Sequence, residues 1–181
     1  MRIAIRVLAV LALIAFSGEI SAPNGQQARP PSEQTLFSEE FPIEHPVPLS
    51  SNILKILLAT KVAKSGLNFA SDSETRDPAK LFEASEIHLG RPDEVDLIVM
   101  GDPPMRGADN TWFWVIRSAR KNPRIVLFGG CNSLEVTNGR ANGLRDIRTV
   151  WSDFDDTHTA IYQFDVTRYK LKSSKSELKS R

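Results

Sequence analysis

Three carboxylates and an imidazole fall within six residues, at Asp153, Asp155, Asp156 and His158. Acidic oxygens at this density can ligate Ca²⁺, and the imidazole nitrogen would extend the set to a transition metal. The spacing departs from the helix-flanked calcium loop, which needs a glycine at its sixth position and a distal glutamate. Asp, Ser and Thr also build hairpin connections, through side-chain bonds to the nearby backbone. Residues 152–158 are therefore expected to form a turn before a metal site.

A second candidate lies in residues 101–110, where Asp102, Arg106 and Asp109 precede the aromatic run that holds Trp112 and Trp114. A proline- and glycine-bearing loop beside exposed tryptophan suits ligand or glycan contact. The competing expectation is a wide turn with both tryptophans in the core. A nucleophile is harder to find. Cys131 follows the apolar run Ile125 to Phe128, has no histidine placed beside it by sequence, and is expected as a buried small hydrophobe. The three histidines, His45, His88 and His158, belong to no two-histidine helix motif, and no glycine-flanked serine elbow is present. Phosphate-cradling, paired-zinc and haem-attachment patterns are missing too.

The elements that must hold these residues follow from periodicity. Ser51 as N-cap, with Ile53, Leu54, Leu57, Leu58 and Val62 at three- and four-residue intervals, predicts a helix to about Ser65, ended by Gly66. A short helix is expected at Asp77-Pro78, with Leu81 and Phe82 facing inward, and a solvated turn at Ser71 to Glu74. From Ile87 onward the grammar is strands. Asp96 to Met100, Thr111 to Ile116 and Arg124 to Phe128 are nearly continuous in apolar character, so both of their faces should be covered. Ile147, Thr149 and Trp151 alternate with Arg148, Val150 and Ser152, which predicts a sheet with one wet face.

These strand runs are self-similar fifty residues apart. Asp96-Leu97 recurs as Asp146-Ile147, and Trp112-Phe113-Trp114 as Tyr162-Gln163-Phe164. Each copy reads as strand, polar loop, aromatic strand, turn and third strand, the last being Tyr169 to Leu171 in the second copy. The expected fold is α+β: N-terminal helices packed on a mainly antiparallel β-sheet of six to eight strands, made of two three-stranded meander repeats.

Asn142-Gly143-Leu144-Arg145-Asp146-Ile147 resembles the FG-GAP/VCBS-type β repeats of exported bacterial proteins, in which an Asn/Asp-Gly turn precedes an Asp-hydrophobic pair opening a strand. The resemblance covers about 30 residues. It implies blade-like units, Ca²⁺ in acidic loops, and roles in adhesion or scaffolding. This chain lacks the dense Asp-x-Asp-x-Asp-Gly loop of the calcium-binding members. Two blades cannot close a propeller, so the resemblance implies a sandwich-like sheet or an assembly of several chains.

Arg2, Arg6, the apolar run Val7 to Phe16 and Ile20-Ser21-Ala22 read as a signal peptide over residues 1–22. The run is too short for a membrane span, so no transmembrane segment is expected after cleavage. Residues 23–48 hold six prolines and read as an extended or disordered leader that docks through Leu36, Phe37, Phe41 and Ile43. Residues 49–172 form the expected single domain, and 173–181 a basic tail. Without Arg2, Arg6 and Glu19 the charges fall from 23 basic and 22 acidic to 21 of each. A balanced chain lacks the field that nucleic acid demands. The expected product is a periplasmic or secreted, non-enzymatic binding protein with an unknown protein or glycan partner and no cofactor. The alternatives are a secreted hydrolase using the carboxylates of residues 153–156, and a calcium-stabilised module.

Overall fold

The computed structural model describes residues 33–106 and 110–178. Its frame is two antiparallel sheets. The four-stranded sheet runs in chain order through β2 (Phe82–Ile87), β3 (Asp96–Gly101), β4 (Thr111–Arg117) and β5 (Arg124–Cys131). The five-stranded sheet begins with β1 (Leu36–Ser38), which pairs with β6 (Ser133–Ala141), and continues through β7 (Leu144–Ser152), β8 (Asp156–Asp165) and β9 (Arg168–Leu178). The antiparallel class and the presence of helices agree with the expectation. The division into two sheets and the ninth strand do not. β1 lies in the stretch read as leader, and β6 has only Leu134 and Val136 turned into the core, too few to signal a strand.

Strand alternation explains the layers. Ile98, Met100, Phe113 and Val115 point from the four-stranded sheet toward Phe37, Leu134, Val136, Ile147 and Phe164 of the other, forming the inter-sheet core. Leu97, Val99, Trp114 and Ile116 point the opposite way and meet the helices through Ile53, Leu57 and Ala63. Every residue of β3 is buried, as its unbroken apolar character predicts. Among the described residues no helix packs on the five-stranded sheet, and β9 is exposed along its length apart from Tyr169. Its outer face is polar: Arg148 pairs with Glu135, Lys170 with Asp165, and Gln163 with Asp146.

The helices differ in detail from the reading. One helix was expected, and two form: α1 (Ser51–Leu58) and α2 (Lys61–Leu67). Ser50, not Ser51, caps α1. Thr60 makes the break, because its hydroxyl donates to the Leu57 carbonyl at 2.7 Å and accepts from the Ala63 amide. Gly66 sits inside α2 rather than past its end. A Cβ there would lie 2.5 Å from Met105 Cγ, so this glycine is a close-packing device. Ser71 to Glu74, expected as a turn, opens α3 (Asp72–Arg76) with a reciprocal capping box. Pro78–Leu81 is a 3₁₀ turn that delivers Leu81 and Phe82 to the core, as expected.

The two self-similar stretches correspond in strand order, since β3–β4–β5 and β7–β8–β9 are each consecutive and antiparallel. Residue-by-residue equivalence at an offset of fifty fails in the second strand. Ile116 lies opposite Leu97, so Val166 should lie opposite Ile147, yet Tyr162 occupies that place. The shorter 153–155 connection shifts the returning strand, so Trp114 and Phe164 are not register equivalents. The leader and tail boundaries also move. Phe37 and Ile43 are buried while Leu36 and Phe41 stay exposed, so the fold takes in residues well before Leu49. Residues 173–178, read as tail, are strand paired to β8 through Asp156–Leu178. The signal-peptide reading of residues 1–22 lies outside the described residues.

Candidate functional site

The acidic loop was the first chemical candidate, and the structure uses it as a turn. Asp153 Oδ1 accepts the Asp155 amide at 3.0 Å and the Asp156 amide at 2.7 Å, while the Asp153 amide donates to the Asp156 carbonyl. That is the side-chain-to-backbone closure that Asp supplies in hairpins. His158 leaves the cluster: its Nδ1 lies 2.7 Å from Ser176 Oγ, and its ring stacks on Trp151 with centroids 5.0 Å apart. Its Nε2 is 3.8 Å from Asp153 Oδ2, beyond hydrogen-bond reach. Among the described residues no group of three or more His, Cys, Asp or Glu is placed to hold a metal ion.

Residues of the 101–110 loop neutralise each other. Arg106 pairs with Asp102 at 3.1 Å and donates from Nε to the Gly101 carbonyl at 2.9 Å, tying the loop to the end of β3. Asp109 lies outside the described residues. Trp114 is a correction to the ligand-contact expectation. It is fully buried in the helix-facing core, edge-on to Phe82 at 5.5 Å, because β4 turns it away from solvent. Trp112 is half-buried and stacks on Phe128 at 5.1 Å. Cys131 is buried, and burial pushes its thiol up to about 12, far from a thiolate at neutral pH.

An open concavity shared by the two sheets lies elsewhere, along one side of the sandwich. β5 ends the four-stranded sheet and β9 ends the five-stranded sheet, and the two edges face each other across a groove of about 450 Å³. Val126 and Tyr169 form its floor, both buried, and Leu171 stands exposed in it, while the Phe128 ring turns to the helix-facing side and packs on Trp112 and Trp114. Leu171 is 57% exposed and lies opposite Tyr162 on the inner face of β9. Tyr169 is held by a 2.7 Å hydrogen bond from its hydroxyl to the Arg145 carbonyl, and burial pushes its ionisation upward, so it remains a neutral donor.

No family model, curated protein or solved structure matches this chain. The site is therefore defined by its own geometry. Arg168 and Lys170 rim the groove on the outer face, as partners of Asp165 and Gln163 in the ladder. β9 as a whole carries four basic residues, Arg168, Lys170, Lys172 and Lys175, against Glu177. Among the described residues no strand pairs with the outer edge of β9, and a sheet edge with open backbone groups beside an apolar side chain has the properties of a strand-docking surface.

The pattern makes Tyr169 to Leu171 the third strand of the second meander, which β8 pairs as expected, but it reads residues 173–181 as a basic tail where the strand continues to Leu178. The missing signal is the approach of β5, more than 35 residues earlier in the chain, which no local pattern encodes. A smaller gap between the sheets, lined by Gly129, Cys131, Thr149 and Tyr162, encloses about 40 Å³ and is too small for more than a water or two. A cleft of about 310 Å³ beside β1 is lined by Glu39, Glu40 and Phe41.

Proposed function

We propose that this chain is an exported, non-catalytic protein that binds a protein partner through the groove between β5 and β9. The observation that carries the reading is the pair of sheet edges flanking exposed Leu171. Exposed backbone edges recognise another backbone, which favours a protein over a glycan. The export half of the reading is supported by the basic, then apolar, then small-residue order of residues 1–22. The FG-GAP/VCBS-type resemblance enters as a proposal about architecture: two meander units arranged as a sandwich, with their likeness in strand order rather than in register. Supporting it, Asn142 and Gly143 form the tight turn between Ala141 and Leu144, both at positive φ.

The test is a photoreactive side chain placed at Leu171 and, as a control, at Phe69, which is 77% exposed and follows α2. In cells exporting the protein, a discrete crosslinked species should form from Leu171 and not from Phe69. Equal crosslinking from both, or none from Leu171, would contradict the reading.

One observation favours a second reading, a secreted hydrolase at the 153–158 hairpin. His158 Nδ1 and Ser176 Oγ are a base–hydroxyl pair at hydrogen-bond distance, 2.7 Å, beside the carboxylates of residues 153–156. Loss of a fluorogenic ester or glycoside turnover in Ser176→Ala and His158→Ala alike would support it.

A further inference from the structure

The two faces of β9 differ in chemistry, and the difference specifies a guest. Tyr169 and Leu171 lie opposite Phe164 and Tyr162, whose side chains turn to the inter-sheet core, so they share the inner face. Arg168 and Lys170 lie opposite Asp165 and Gln163 on the outer face, and Lys175 lies opposite Thr159 on that same face after the irregularity between Ile161 and Tyr162. A strand added to the free edge of β9 would continue this alternation, because successive side chains in a strand point to opposite faces. Its inner residues would meet Leu171 and the groove; its outer residues would meet the cations.

We infer that the groove takes an extended segment of a partner protein in which acidic and apolar residues alternate, added as a further strand on β9. This rests on the groove reading above and narrows it to a partner class. A second copy of the chain is the less suitable occupant. Pairing β9 with itself would set its four cations against four more, and edge lysines are a common device against such self-pairing. Lys170 pairs with Asp165 and Lys175 with Glu177, but these are exposed pairs of small worth, which a guest carboxylate can share or replace.

The probe is a labelled synthetic peptide of about eight residues, a usual strand length, alternating glutamate with valine. Its lysine–valine counterpart is the control, and fluorescence anisotropy is the readout. The glutamate peptide should bind the folded protein about tenfold or more tightly than the lysine peptide, with the gap shrinking in salt. The Lys170→Glu/Lys175→Glu variant, altered only at exposed positions, should reverse the preference. N-methylation of the glutamate peptide at alternate residues should abolish binding for one of the two phases, since only one edge of the guest faces β9. Equal binding of both peptides, no binding of either, no reversal in the variant, or a salt-resistant homodimer in sedimentation would each overturn the inference. Crosslinking at Leu171 without peptide binding would overturn strand addition alone and leave the groove reading standing.

Discussion

Tyr169 on β9 donates its hydroxyl proton to the Arg145 carbonyl on β7 at 2.7 Å, reaching across β8 to anchor the floor of the groove. Its ring meets Phe164 edge-on at 5.5 Å. The exposed strand that carries the basic residues is thus fastened to the core by one side chain. Arg145 extends the same node: it donates to the Val136 and Thr137 carbonyls where β6 loses register with β7, and pairs with Glu33 at 2.7 Å.

Replacing Tyr169 with phenylalanine keeps the ring and removes the donor. The Arg145 carbonyl then loses a partner in a partly buried place, a cost of about 1–2 kcal/mol. Urea unfolding should show a lower midpoint with an unchanged slope, because the same surface is exposed on unfolding. No change in midpoint would mean that the hydrogen bond holds nothing in place.

Asp96 supplies a pH dependence. It is fully buried and accepts from the Leu89 and Ser118 amides at 3.2 and 2.9 Å, with Arg117 at 3.4 Å. Burial is the largest influence and raises its ionisation above the ordinary 3.8, against the lowering by Ser118, Arg117 and Leu89. The native state then holds this proton more tightly than the unfolded state. Its contribution is fully present below the ordinary value and is lost as pH rises through the raised one. Unfolding free energy measured against pH should therefore rise less steeply across that window in the wild type than in Asp96→Asn. A steeper wild-type rise would reverse the assignment.

Calcium should matter little. With Asp153 Oδ1 engaged by two backbone amides, added Ca²⁺ or a chelator is expected to leave the melting temperature nearly unchanged. A calcium-dependent rise that disappears in Asp153→Asn/Asp155→Asn would restore the metal reading, since selective binding to the native state stabilises it.

Local pattern carried the strands whose faces differ. Alternation alone puts Ile147 with Thr149 on one side of a sheet, and Ile147 is a core residue. Buried β3 and β4 were legible from unbroken apolar runs. Pattern failed where pairing rather than burial makes the strand. Lys172 to Leu178 is polar on both faces and is a strand because β8 supplies its hydrogen bonds. Likewise β1 is three residues held by β6, invisible among prolines. Of the two expectations for Trp114, ligand contact fails and the core one holds, because strand polarity, not aromatic content, decides which side faces solvent. The groove has no local signature because its two edges, residues 125–128 and 168–171, come together only through tertiary structure.

The most direct test is a backbone chemical-shift map of the folded protein, recorded while the glutamate–valine peptide is titrated in. Perturbations concentrated on residues 125–128 and 168–171, with slowed amide exchange along β9, are the predicted result. Perturbations centred on the 151–158 hairpin, or on Glu39 to Phe41 beside β1, would contradict the account.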